Sequence, residues 1–139
     1  MQEVLKVIAK NSFEEFIVSK TEHKGHLSLD IRVFYKDRVT EEMRPSKKGV
    51  AIPFDKVGEL KAALEGVNAL SPVGETLVEI SKGDREVIRL VLKEFKGHKL
   101  IDLRQYFEYD GTFVPTQRGV SMQFHKLPEL KEAVGLWKV

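Results

Sequence analysis

Apolar and polar residues alternate through much of this chain, and the alternation stops repeatedly at short polar clusters. The runs at 4–10 (VLKVIAK), 13–23 (FEEFIVSKTEH), 26–35 (HLSLDIRVFY) and 50–54 (VAIPF) have a period near two and are rich in β-branched and aromatic residues, which predicts strands. Between them lie Asn11-Ser12, Lys24-Gly25 and the longer polar segment 37–49, each read as a turn or loop. Asn-Ser tolerates the positive φ that a tight hairpin requires. The period then changes: Val57, Leu60 and Leu64 recur at helical spacing, with Asp55 placed to cap the helix and Gly66 to stop it. Residues 67–75 have turn residues and no period, and they read as a linker.

The same order then returns. Runs at 76–82, 85–95, 98–107 and 120–124 predict four more strands, with Gly83-Asp84 and Lys96-Gly97 as turns and 110–119 as the loop. Leu127, Leu130 and Val134 repeat the helical spacing, with Pro128 in its first turn and Gly135 as a stop. Asp102 follows Asp30 by 72 residues and Gly119 follows Gly49 by 70. The difference arises between them, and insertions collect in surface loops, which assigns 37–49 and 110–119 to loops. The chain is therefore a tandem duplication, 1–66 and 76–139, of a strand-strand-strand-strand-helix unit. A period near 70 exceeds that of the solenoid repeats. Each unit alone has little room for a core, so the copies are expected to pack together about a pseudo-two-fold axis, as a homodimer fused into one chain.

Composition narrows the chemistry. With hydrophobic residues at 42%, a real core is expected, and no apolar run reaches membrane-spanning length. The N-terminus lacks the features of a signal peptide and cysteine is absent, so the expectation is a cytoplasmic protein, nucleoid-associated if prokaryotic. Lys and Arg total 23 against 21 Asp and Glu, so any anion site must be a local patch. His26 and His98 recur, but no ligand lies at the spacing of a metal site, and no phosphate loop or nucleophile with its base is evident. The expectation is a protein that is not an enzyme and that takes no metal and no cofactor.

The repeated string of basic and aromatic residues suggests another use. Alternation puts Asp30, Arg32 and Phe34 on one strand face and Asp102, Arg104 and Tyr106 on its equivalent. Cations for phosphates and flat rings for exposed bases are what a sequence-independent single-strand binder needs. Two other readings stay open. Asp and Arg two apart can simply pair, and a basic loop can be solvated decoration. The near-neutral charge also fits a protein-interaction module that keeps the fold without binding nucleic acid.

The ordered series FKGHKLIDLRQYF, MRPSKKGVAI and ELKAAL resembles the single-stranded-DNA-binding domain of the transcriptional coactivator positive cofactor 4 family, nearly end to end in each half. The resemblance implies an α+β fold: two tandem ββββα units, each a curved antiparallel four-stranded sheet with a C-terminal helix, packed as an intramolecular pseudo-dimer. It implies a monomer that mimics the family homodimer and binds single-stranded DNA, with RNA as a second candidate, in transcription regulation or in DNA replication or repair, and with no membrane partner. Carried over, the turn contacts fall on Lys24 and His26, and on Phe95, Lys96 and His98, with His23 where an aromatic is common. The strand contacts are Arg32 and Arg104 with the pairs Phe34/Tyr35 and Tyr106/Phe107, and the loop contacts are Arg44, Lys47 and Lys48. The second copy keeps only Arg118 there, with Val114 and Gln117 in place of basic residues.

Overall fold

The computed structural model describes residues 2–138. The first unit runs β1 (Gln2–Ala9), β2 (Glu14–His23), β3 (His26–Lys36), β4 (Met43–Pro53) and α1 (Val57–Glu65). The second runs β5 (Thr76–Gly83), β6 (Glu86–Phe95), β7 (His98–Tyr109), β8 (Thr112–Gln123) and α2 (Leu127–Gly135). Each set of four strands forms its own antiparallel meander, in sequence order. The two-unit α+β architecture read from the repeat is the one observed.

Alternation decides which side chains enter the core. Phe16 and Val18 on β2, Leu29, Ile31 and Val33 on β3, and Val50 and Ile52 on β4 are buried on the helix side of the first sheet, with Val57, Leu60 and Leu64 of α1. Ile88, Leu90, Leu92, Ile101, Leu103, Val120 and Met122 do the same in the second, with Leu127, Leu130 and Val134 of α2. All of these belong to one continuous apolar cluster. The helices touch each other, β4 lies against β8, α1 meets β5, and α2 meets β1. These reciprocal contacts are those of an isologous dimer held within one chain. Lys6 of β1 pairs with Glu132 of α2 at 3.5 Å, and Lys20 Nζ donates to the Lys138 carbonyl at 2.6 Å.

The hairpins correct part of the sequence reading. Left-handed backbone occurs at Lys24 (φ 51°) and Gly25 (80°), and at Lys96 (50°) and Gly97 (78°), as a two-residue hairpin with positive φ at both central positions demands. Asn11-Ser12 and Gly83-Asp84 are not left-handed. Asn11 instead closes its turn through Oδ1, which accepts from the Phe13 and Glu14 amides at 2.9 Å each. Asp55 does not cap α1, because a single 3-10 turn at Phe54–Lys56 leads into the helix and no side chain caps it. Gly135 is the last residue of α2 and Leu136 follows as its C-cap, while Gly66 ends α1.

A larger correction concerns 37–49 and 110–119. Only 37–42 connects β3 to β4, and only Asp110-Gly111 connects β7 to β8. The basic residues read as loop residues lie on β4 and β8. Arg32 faces Gly49 and Phe34 faces Pro45, so Val33 alone spans Ser46, Lys47 and Lys48. Arg104 faces Gly119 and Tyr106 faces Pro115, so Gln105 spans Thr116, Gln117 and Arg118. Each sheet thus carries a bulge, which bends the strand and turns side chains out of the ladder.

Candidate nucleic-acid interface

Each bulge is built by residues from three places in the sequence. Arg32 donates through Nε and Nη2 to the two Asp30 carboxylate oxygens, at 3.1 and 2.9 Å, and through Nη1 to the Ser46 carbonyl at 2.9 Å. Ser46 Oγ donates to the Val33 carbonyl at 2.7 Å and accepts from the Lys48 amide at 3.1 Å. The guanidinium lies so close over Gly49 that a Cβ there would sit 2.8 Å from its side chain. The second unit repeats this with Arg104 on Asp102 (3.2 and 3.0 Å) and on the Thr116 carbonyl (2.8 Å), and with Thr116 Oγ1 donating to the Gln105 carbonyl at 2.7 Å. A Cβ on Gly119 would meet Arg104 at 2.8 Å. The Asp-x-Arg and Gly elements of the repeat are therefore a clamp that fixes the bulge, and of the two open readings for Asp30 and Arg32 the pairing is present.

The clamp leaves three cations at the bulges. Among the described residues, the side chains of Lys47, Lys48 and Arg118 make no salt bridge or hydrogen bond. Arg44 is different: Nε donates to Asp37 at 2.8 Å, and Nη2 lies 3.6 Å from Glu42. The Asp37 carboxyl is held below its usual range, first by the Thr40 and Val39 amides and then by Arg44. Packing of β4 on β8 brings the bulges together, so that Lys47, Thr116, Gln117 and Arg118 line one depression. Beside it runs a groove of about 610 Å³ bordered by Tyr35, Pro45, Ser46, Lys47, Lys48 and Gln117.

The hairpin candidates lie apart from this groove, which Tyr35 borders. Lys24, His26, Lys96 and His98 sit at exposed hairpin ends, six residues along β3 or β7 from the clamping arginine, which is about 20 Å. Phe95 is exposed there, with Lys96 Nζ 5.3 Å from its ring centre. Phe34 and Tyr106 stand on the sheet face opposite the helices, whereas Tyr35 and Phe107 point the other way, beyond the end of the core. Arg85 lies 5.4 Å over the Phe107 ring.

Several residues that shape the region were not read from sequence. Arg89 lies over Tyr106 (4.8 Å) and Phe113 (5.3 Å) and donates to Glu79 at 2.8 Å. Lys82, at the end of β5, donates to the buried Gln105 at 3.1 Å and lines a cleft shared with Arg32, Lys47 and Arg118. Burial lowers the Lys82 pKa below its usual range, with Arg118 and Arg32 adding to the effect and Glu86 and Asp30 opposing it. The available signal was the mismatch within the repeat, where Arg89 and Gln105 occupy the positions of Ile17 and Val33. Among the described residues, no group of three metal-binding side chains gathers.

Comparison with known proteins reproduces the repeat. The family model for Transcriptional Coactivator p15 (PC4) matches twice, over residues 12–63 and 82–133. The RNA polymerase II transcriptional coactivator KELP of Arabidopsis thaliana is 41% identical over 34 residues, which are 24% of this chain. The match spans 21% of that protein, about a fifth of its length. A crystal structure of BPSL1147, a PC4 homolog from Burkholderia pseudomallei, is similar at 26% identity in its orthorhombic form, covering 49% of this chain and 93% of that one with a TM-score of 0.43. The tetragonal form gives 27%, 45%, 93% and 0.42.

Proposed function

Since the chain belongs to the transcriptional coactivator p15 (PC4) family, we propose that it binds single-stranded DNA with little sequence preference, its two units forming one site within one molecule. The observation that carries this reading is the meeting of unpaired cations from both bulges, Lys47 and Lys48 with Arg118, beside the Tyr35 groove. Phosphates track such cations and unpaired bases stack on neighbouring rings. Phe34, Tyr35, Tyr106 and Phe107 are the candidate platforms. Lys24, His26, Phe95, Lys96 and His98 extend the site along each sheet. Arg32 and Arg104 act through the bulge they hold, and Arg44 through Asp37. The coactivator relative favours a role in transcription over replication or repair, and the place of action would be wherever DNA is unpaired, the nucleoid in a prokaryotic cell.

A second reading is a protein-interaction module, favoured by the net charge of +2 and by Gln117 standing where the first bulge has Lys47. Fluorescence anisotropy with labelled oligothymidine and a duplex of equal length, at low salt, separates the two. The single strand binds more tightly under the first reading. Equal affinity for the duplex removes base stacking, and no binding to either leaves the interaction module.

A further inference from the structure

The cleft where β5 meets the first bulge differs from its counterpart in the other unit, and the difference lies in its charges. In the first unit Lys10 has its own carboxylate, Glu14, at 2.8 Å. The equivalent acid of the second unit, Glu86, is not within salt-bridge distance of Lys82, whose amine donates instead to Gln105. The reason is a single position: Val33 offers no acceptor, while Gln105 does. Gln105 is only 4% exposed, and with Oε1 taken by Lys82 its amide hydrogens remain as donors on the cleft wall. Lys47 and Arg118 complete the lining with Arg32 and Ser46, in a space of about 390 Å³ with no carboxylate of a described residue on its wall. The Asp30 carboxylate behind it is already bound by Arg32.

Lys47, Lys82 and Arg118, none of them in a salt bridge among the described residues, converge from both units with one buried amide donor, an environment suited to an anion. We propose that this cleft binds one dianionic phosphate group, supplied by the terminal phosphate monoester of a nucleic-acid strand or by free phosphate. A monoester suits the space better than a bridging phosphodiester, because it carries two charges and needs an exit on one side only. The cleft belongs to this fused chain rather than to a symmetric dimer, because it needs Arg32 and Lys47 of one copy and Lys82 and Gln105 of the other.

The test titrates the full chain with inorganic phosphate by calorimetry, in a buffer free of other oxyanions, and with oligothymidine bearing a 5′-phosphate or a 5′-hydroxyl by anisotropy. One phosphate per chain is expected, weakened about tenfold or more in Lys82→Met and Gln105→Val and unchanged in Lys10→Met. The 5′-phosphate tightens oligonucleotide binding about tenfold in the natural chain, and Gln105→Val removes that gain. If binding of inorganic phosphate alone shows these losses, the source is free phosphate; if the terminal phosphate alone gives the gain, the source is a strand end. Gln105→Val installs the residue the first unit carries at Val33, and circular dichroism checks its fold. Gln105→Glu keeps the side-chain shape, sets a carboxylate against Lys82, and must abolish phosphate binding if the site is real. Absence of saturable phosphate binding together with no gain from the 5′-phosphate overturns the inference, as do equal affinities across the variants. The oligonucleotide arm rests on the strand-binding reading and the inorganic arm does not: phosphate bound without any oligonucleotide removes that reading alone, whereas oligonucleotides bound equally with either end, and no phosphate, remove this inference alone.

Discussion

On the second sheet, Arg89 lies flat over Tyr106 and Phe113 and is anchored by Glu79. On the first sheet the same register positions hold Ile17, Phe34, Met43 and Val7, and among the described residues no cation lies over Phe34. The arginine's contacts in the clamp beneath are the same in both, down to the glycine that a Cβ would spoil. Duplication has thus kept the device that shapes the strand and changed what is presented on it. A guanidinium already stacked on a ring competes with any base for that ring, so the first unit offers the open platform and the second a covered one. The bulges differ in the same direction, with Lys47 and Lys48 on one side and Arg118 alone on the other.

Separating the halves is the severest way to break this comparison. A fragment ending at residue 70 loses the helix contact, the β8 edge against β4, and the α2 cover on β1. It is expected either to dimerise or to unfold, while the whole chain sediments as a monomer at micromolar concentration; a folded monomeric fragment would show that the shared core is dispensable.

The clamp itself should prove unequal. Asp30 has Arg32 as its hydrogen-bonding partner, whereas Asp102 also accepts from Ser121 at 2.6 Å and lies 3.3 Å from Lys93. Arg32→Ala strands a largely buried carboxylate and should cost about 3 kcal/mol. Arg104→Ala leaves Asp102 partnered and should cost about 1–2 kcal/mol. Urea unfolding measures both, and the reverse order would show that the greater burial of Asp102 outweighs its extra partners.

Stacking gives a smaller contrast. Phe34→Ala should weaken oligothymidine binding by about 1–3 kcal/mol, and Tyr106→Ala by less, because Arg89 occupies that ring. Arg89→Ala should raise the contribution of Tyr106. Equal losses from the two aromatic variants would mean that the cover on the second sheet opens freely.

Salt dependence sharpens the comparison of the bulges. Neutralising Lys47 and Lys48 together should make the slope of log K against log salt shallower by about 1.4, and neutralising Arg118 by about 0.7. Arg44→Gln should leave it nearly unchanged, since that guanidinium is engaged by Asp37. A loss at Arg44 equal to that at Lys47 would show that its ion pair opens on binding.

The subtlest difference is in pH. Lys82 titrates below the ordinary lysine value of 10.5 because burial disfavours its charge. The unfolded chain then binds the proton more tightly, so the stability penalty is full below the folded pKa and is relieved as pH rises through it towards 10.5. Relative to Lys82→Met, the natural chain should gain stability as the pH rises towards 10.5 in urea titrations; no change in that difference would mean that Lys82 is solvated.

What the sequence determined by itself is whatever local periodicity and repetition encode. Strands follow from alternation at 13–23 and 98–107, helices from the spacing of Leu60 with Leu64 and Leu130 with Val134, and two units from the 72-residue return of Asp30 at Asp102. Those signals lie within short windows, where backbone geometry and the need to bury one face suffice. The candidate site was legible as composition: the basic and aromatic residues are where the repeat puts them. Their states were not. That Arg32 is held by Asp30 and Ser46, that Lys47 is free while Arg44 is paired, and that the residues taken for a loop form a bulged strand all depend on register across β3 and β4. Register joins Arg32 to Gly49, distant in sequence, and no local pattern states it. Only packing of β4 on β8 brings Lys47 to Arg118, and only the fold sets Lys82 against Gln105 in a cleft shared with the first bulge. Electrostatics at a site depends on distance and burial, and both belong to the tertiary structure.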